Sequence, residues 1–258
     1  MNIIEEALFA RLNRIRLVQQ LNEIGFTEVN AKTPLSEITE YIKWAGGLRD
    51  IRLAAIKKSD GTRVYFTESE WNALSSNQRT QYVKIGLRIR AETQDFVIAK
   101  SDASNSDGTV TFKWAETSGN NVKGLTDFNG STGLYSDIDG AKNTELILAA
   151  VSEYGAHPAA QKAASYQACK STTDGYEDDT SWYLPAAGQA RIMAKYRPQI
   201  NAAFTSLFGS TSNITTDWHW TSTEYSASYA FYVSMNYGYI NSNLKATTGR
   251  VRACSAAI

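Results

Sequence analysis

Apolar side chains recur along this chain with two periods. Near the start, Ile4, Leu8, Leu12, Ile15, Val18 and Leu21 return every three or four residues, which predicts an amphipathic helix over residues 3–24, stopped by Gly25. So narrow a stripe suits a helix packed on its own domain. It equally suits one that pairs with other copies or docks on a larger assembly. A second helix is expected from Pro34 through Leu35–Ala45, ended by Gly46-Gly47. The period then falls to two. Asp50–Lys57 and Arg63–Phe66 read as strands around Lys58-Ser59-Asp60-Gly61, whose Asp-Gly pair is a hairpin signal. Thr67-Glu68-Ser69-Glu70 has the spacing of a capping box opening a short helix through Leu74, and Tyr82–Arg90 alternates as a further strand.

Phe96–Lys100 and Val110–Trp114 read as strands on either side of the polar loop 101–108. Residues 120–140 are rich in glycine and loop-like. Two Ala-rich amphipathic helices are predicted over Asn143–Tyr154 and Pro158–Lys170, followed by a solvated acidic turn, Asp174–Asp179. A helix from Ala186 to about Tyr196 is expected to break near Pro198, with a short helix over Ile200–Phe208 closed by Gly209. The pattern thus predicts an α+β protein in two parts. Residues 1–90 form a smaller α+β unit led by the amphipathic helix, suited to attachment or oligomerisation, and residues 91–258 form a larger domain.

The last forty residues differ from the rest. Phe231, Val233 and Met235 alternate with Tyr232, Ser234 and Asn236, Gly238 supplies a turn, and on the return Ile240 and Leu244 alternate with Tyr239, Asn241 and Asn243. A terminal hairpin is predicted, with Ile240 and Leu244 pointing inward. Arg250–Cys254 follows as a short strand with Val251 and Ala253 on one face. One face of the hairpin would carry stiff phenols and adaptable amides and hydroxyls, the side-chain vocabulary of antibody paratopes. The alternative is a solvated sheet face in which Tyr serves strand propensity. The candidate contact residues are Tyr225, Ser226, Ser228, Tyr229, Tyr232, Ser234, Asn236, Tyr237, Tyr239, Asn241 and Asn243.

Composition narrows the function classes. Hydrophobic residues make up 43% and charged residues 20% of the 258, enough for a core without long disordered tracts. Lys plus Arg and Asp plus Glu balance at 26 each with no basic cluster, which argues against nucleic acid as a partner. No apolar run approaches the ~20 residues that span a bilayer, so membrane insertion is not expected. Glu5 and Glu6 interrupt any basic-then-apolar leader, so no signal peptide is expected. Cys169 and Cys254 lack metal-ligand spacing, and His157 and His219 stand alone. Asp137-Ile138-Asp139-Gly140 opens like a calcium loop but lacks the further oxygen ligands and the closing Glu, and Lys142 sits where an acid would help. Neither a metal nor another cofactor is expected. Asn129-Gly130-Ser131 and Asn213-Ile214-Thr215 match the glycosylation sequon, which carries meaning only on a secretory route.

Five segments in order, DIDGAKNTELILAA, AASYQAC, SWYLPAAGQARIMAKY, WTSTEYSASYAFYVSMNYGYI and RVRAC, resemble the C-type-lectin-fold domains of gut Bacteroidetes and their phages. The resemblance covers residues 95–258. Ser181, Ala186, Gln189-Ala190 and Thr221 depart from the usual D-W-Y-L-P-S-x-G-E-L and W-S-S-T-E-Y patterns. It implies a ligand surface on the C-terminal strands, like that varied in diversity-generating-retroelement proteins. It also implies that Cys169 and Cys254 lie together as a structural pair within disulfide reach, and that Trp182, Leu184, Trp218, Trp220 and Phe231 are core. The signatures of calcium-dependent sugar binding are missing.

On this resemblance the expected protein is a non-enzymatic virion component, made in the host cytoplasm. As part of a tail or head fibre it would contact a host surface protein or glycan, alongside other virion proteins and as a homo-oligomer, a trimer for a fibre. Two other classes stand beside it. One is a structural decoration or connector. The other is a catalyst akin to formylglycine-generating enzymes, whose copper-dependent cysteines have no clear counterpart here. The carboxylates Asp178-Asp179 have no partnered base or nucleophile in the pattern.

Overall fold

The computed structural model describes residues 47–117, 119–128 and 134–257, with Ile15, Val18, Gln19, Asn30 and Lys32 before them. Ile15, Val18 and Gln19 are helical, and Val18 is buried. The rest of the helix expected over 3–24, the one expected over 35–45, and the Asn129 sequon lie outside the described residues.

The class is α+β, with two five-stranded sheets. Strands β1 (Leu48–Lys57) and β2 (Arg63–Phe66) form the hairpin signalled by Asp60-Gly61, and Gly61 takes a φ of 73° that suits a residue without Cβ. Helix α1 (Glu68–Ala73) opens on the expected capping box: the Glu70 amide donates to Thr67 Oγ1 at 3.2 Å and the Thr67 amide to Glu70 Oε2 at 2.7 Å. A second box, Ser75 with Gln78, opens α2 (Ser76–Arg79). Strands β3 (Tyr82–Ala91) and β4 (Gln94–Ala99) follow, then β5 (Thr111–Lys113).

Helix α3 (Gly140–Ala149) begins three residues earlier than the apolar period suggests, because Asp139 Oδ1 accepts the Lys142 amide at 2.9 Å and caps it. The single helix expected to run to Tyr154 is divided at Ala150, where α4 (Val151–Tyr154) starts. Helix α5 (Pro158–Ala164) stops well short of Lys170, and α6 (Ser171–Asp174) ends on the first residue of the supposed acidic turn. That turn is not simply solvated. Asp178 is buried and accepts from the Ala168 amide (2.7 Å), Trp182 Nε1 (2.8 Å) and the Thr180 amide (3.0 Å). Helix α7 (Ala187–Lys195) leads into α8 (Arg197–Phe208). Pro198 opens α8 and does not break it, since a first-turn proline lacks only an N–H that would have no intrahelical partner.

The last strands are β6 (Trp218–Glu224), β7 (Tyr229–Ser234), β8 (Ile240–Leu244), β9 (Thr248–Arg250) and β10 (Cys254–Ala256). One sheet has the order β10-β4-β3-β1-β2 and the other β5-β9-β6-β7-β8. Arg250–Cys254 is therefore not one strand. Val251-Arg252-Ala253 carries the chain from the second sheet to the first, with Val251 and Ala253 fully buried.

Residues 1–50 with 90–95 form one compact unit, and 51–89 with 96–258 form the other. The boundary expected at residue 90 is crossed by a sheet, because β4 and β10 hydrogen-bond alongside the earlier strands. The core of the second unit gathers Trp114, Trp182, Leu184, Trp220, Val251 and alanines of α5, with Trp218 and Tyr232 packed partly against it. Phe231 packs separately with Leu134 and Ala187.

Candidate functional site

The ribbon β7–β8 lies at one edge of the second sheet. Its register pairs Tyr232 with Asn241, Ala230 with Asn243, Phe231 with Ser242 and Tyr229 with Leu244. Opposed residues of antiparallel strands share a face and neighbours along a strand alternate. Tyr232, Ser234, Tyr239, Asn241 and Asn243 therefore share one face with Trp218 and Trp220 of β6, which pair with Ser234 and Tyr232. The Tyr232 ring stands 4.9 Å from Trp218 and 6.4 Å from Trp220 between centroids. Trp218 in turn lies on Gly249, where an added Cβ would fall 2.2 Å from the indole.

The opposite face holds Tyr229, Phe231 and Leu244, with Tyr225 edge-on to Phe231 at 5.3 Å and to Tyr229 at 6.1 Å. The candidate residues thus do not form one surface. Leu244 is 46% exposed and does not point inward, and Ser234 is only 6% exposed, covered beneath the Trp218–Tyr232 side. Ser226 and Ser228 are half-buried in the β6–β7 loop. That loop is tied down by the Ser226 amide on the Tyr229 carbonyl (3.1 Å) and the Lys245 amide on the Ser228 carbonyl (3.0 Å).

The exposed members gather at the tip. Gly238, at a φ of 74°, turns the chain, and its amide donates to the Ser234 carbonyl at 2.8 Å. Around that turn Tyr237 is 76% and Tyr239 50% exposed, and their rings stack at 6.0 Å with 11° between planes. Asn236 and Asn241 are exposed beside them. Tyr232 is half-buried; burial raises its phenol above the ordinary value, Tyr239 adds to this, and a hydrogen bond with Asn241 opposes it.

The amides have a second role. The Ser234 amide donates to the Tyr239 carbonyl at 3.0 Å, which makes 234–239, and by alternation 232–241 and 230–243, the hydrogen-bonded pairs. The N–H groups of Ser242 and Leu244 then face the open edge. Asn241 Oδ1 accepts the first and Asn243 Oδ1 the second, each at 2.8 Å. The edge is closed by its own side chains through the amide oxygens, and the Asn241 NH₂ also donates to the Tyr232 phenol.

Two buried charge clusters, not singled out in the sequence, lie in this part of the fold. Glu224 and Lys245 flank its ends and form an ion pair away from solvent. Glu224 also accepts the Val122 amide at 3.1 Å, while Lys245 Nζ donates to the Asn120 carbonyl at 2.9 Å and sits 4.8 Å from the Trp114 ring centroid. Burial raises the Glu224 carboxyl above its ordinary value, against the opposing pull of Lys245. The available signal was the absence of charge from 225 through 244, between these two residues. Beneath the sheet, Asp102 meets Arg250 Nη1 (3.0 Å), Arg252 Nη1 (3.1 Å) and His219 Nε2 (3.5 Å). Burial alone would raise Asp102, but His219 and Arg252 together hold its carboxyl well below the usual carboxylate range. Both arginines of the R-V-R segment thus serve one aspartate.

Of the polar residues of β6, Thr221 and Thr223 are hydrogen-bonded through their hydroxyls, while the buried Ser222 Oγ has no partner among the described residues. Thr223 Oγ1 accepts the Ala187 amide at 2.8 Å, Gln189 Oε1 accepts the Ala186 amide at 3.1 Å, and together they cap α7, whose own N-cap residue is alanine. Thr223 Oγ1 donates to Asp137 at 2.6 Å, and Asn143 Nδ2 donates to the same carboxylate at 2.9 Å. Burial, ahead of these opposing bonds, raises Asp137. The aspartates of the calcium-like segment are engaged in this way, and among the described residues no three His, Cys, Asp or Glu converge as a metal site. Cys169 and Cys254, the expected structural pair, are both free, buried thiols with no disulfide between them. Cys254 Sγ contacts Met193 Sδ at 3.8 Å, and burial, ahead of nearby Asp178, pushes the Cys169 thiol up to about 12. No helix among the described residues is long and apolar enough to cross a membrane. No protein-family model matches the chain, and no curated protein does.

Proposed function

We propose that this chain is a non-enzymatic recognition protein, a receptor-binding component of a phage virion whose C-terminal part is a C-type-lectin-like display domain. It contacts a host surface protein or glycan through the tip of the β7–β8 ribbon. The observation that carries the reading is the stacked, exposed Tyr237–Tyr239 pair, flanked by Asn236 and Asn241. Large rings with two side-chain torsions lose little freedom on binding, and covering one contributes roughly 1.5–3 kcal/mol. The amide NH₂ groups of Asn236 and Asn241 supply directional donors, and no charge in 225–244 has to be desolvated. The order of the five lectin-like segments adds the virion context.

The test is binding of labelled full-length protein to a panel of bacterial strains and to a glycan array. Saturable binding to a subset is expected, lost at least tenfold in Tyr237→Ala/Tyr239→Ala with the melting temperature held. Binding that survives the double variant, or no binding anywhere in the panel, sinks the reading.

A further inference from the structure

A pocket of the second unit lies away from the ribbon. A cavity of about 350 Å³ is walled by the residue after β1, by α1 and α2, by β3, and by the ends of α6 and α8. Four cations line it, Lys58, Arg79, Lys84 and Lys100, together with the rings of Trp71, Tyr82 and Phe208. Asp174 lines it as well: its Oδ2 accepts the Lys170 amide at 2.9 Å and the Thr173 hydroxyl at 2.8 Å, and the charges of Lys100 and Lys58 add to the hold on its ionised form. Among the described residues none of the four cations forms an ion pair. Four cations against one acid leave a local excess of positive charge in a chain whose charges sum to zero.

Two of the cations also bond to the backbone. Arg79 Nε and Nη2 donate to the Trp71 and Asn72 carbonyls at 3.1 and 2.8 Å, and Lys84 Nζ donates to the Leu207 carbonyl. These are helix C-termini, which favour a positive side chain. Such contacts fix where the two charges stand without neutralising them. Lys58 and Lys100 have no equivalent bond among the described residues. Burial first, then the proximity of Lys100 and Arg79, lowers Lys84 from its ordinary value. An anion placed among these groups would relieve that repulsion.

We infer that this pocket binds a phosphate or sulfate ester of a small ring-bearing molecule, with the oxyanion among Lys58, Arg79, Lys84 and Lys100 and the ring against Trp71, Tyr82 and Phe208. Guanidinium and ammonium groups together suit a tetrahedral oxyanion. The volume lies near the lower end of ligand pockets, roughly 300–1,000 Å³, room for one ring and one charged group. Lys84 stands 4.8 Å from the Phe208 centroid and 5.9 Å from that of Trp71, which keeps charge and aromatic wall in register.

The test is calorimetric titration of the full chain at low ionic strength with phenyl phosphate, phenyl sulfate, inorganic phosphate and phenol. One saturable site for a phenyl ester is expected, at least fivefold tighter than inorganic phosphate, with no heat from phenol. The tighter of the two esters identifies the oxyanion. Lys58→Gln and Lys100→Gln, which remove side chains without structural bonds, should each weaken binding about tenfold with an unchanged melting temperature. Absence of saturable binding, equal affinity for inorganic phosphate, or full affinity in both Gln variants would overturn the proposal. None of these results bears on the ribbon.

Discussion

The Glu224 carboxylate and the Lys245 ammonium flank twenty uncharged residues in sequence and meet in a buried pair beside Trp114. The excursion between them leaves the core and returns to it at one place. Such a pair gives weak net stability, because desolvating two ions offsets most of their attraction, but it is costly to break.

Lys245→Met alone should therefore destabilise the protein by about 3–5 kcal/mol, since Glu224 is left buried and uncompensated. Glu224→Gln/Lys245→Met, which keeps an acceptor for the Val122 amide, should recover most of that loss. Urea unfolding of both variants checks this, and a double variant no more stable than the single would contradict it.

Asp102 contributes to the acid limb. Its folded pKa lies below its unfolded one, so its contribution is complete above about pH 4 and fades as the pH falls towards the folded value. Asp102→Asn should cost about 3–5 kcal/mol at pH 7, because Arg252 is buried and loses its counter-charge. It should also flatten the fall in stability below pH 4. Equal slopes for parent and variant would refute the assignment.

The edge of β8 is closed by Asn241 and Asn243. Replacing both with alanine frees two outward N–H groups, and concentration-dependent association is expected by light scattering. A monodisperse variant identical to the parent would show that the amides are not what protects the edge.

Gly249 leaves room for the Trp218 indole. Gly249→Ala should displace that ring at a cost of about 1–3 kcal/mol and alter its fluorescence, while an unchanged spectrum and stability would place the ring elsewhere.

Local signals were legible. Asp60-Gly61, the Thr67–Glu70 box and the exposure of Tyr237, Tyr239 and Asn241 each depend on a few neighbouring residues. The errors came where distant segments decide. Ser234 is buried opposite Trp218 of another strand, Leu244 is exposed together with its partner Tyr229, and Val251–Ala253 passes between sheets that alternation cannot distinguish. Asp178 read as solvated because its donors at Ala168 and Trp182 belong to other turns. The Asp102 cluster draws on residues more than a hundred positions apart, beyond the reach of any local pattern.

The self-bonded asparagines of β8 also constrain evolution. A mutation from Asn241 or Asn243 to a residue without a side-chain acceptor would do two things at once, alter the surface chemistry of the ribbon and unseal a strand. Diversity at the ribbon tip, around Tyr237, carries no such penalty, so sequence drift between variants of this protein should concentrate at the apex and spare the two amides below it.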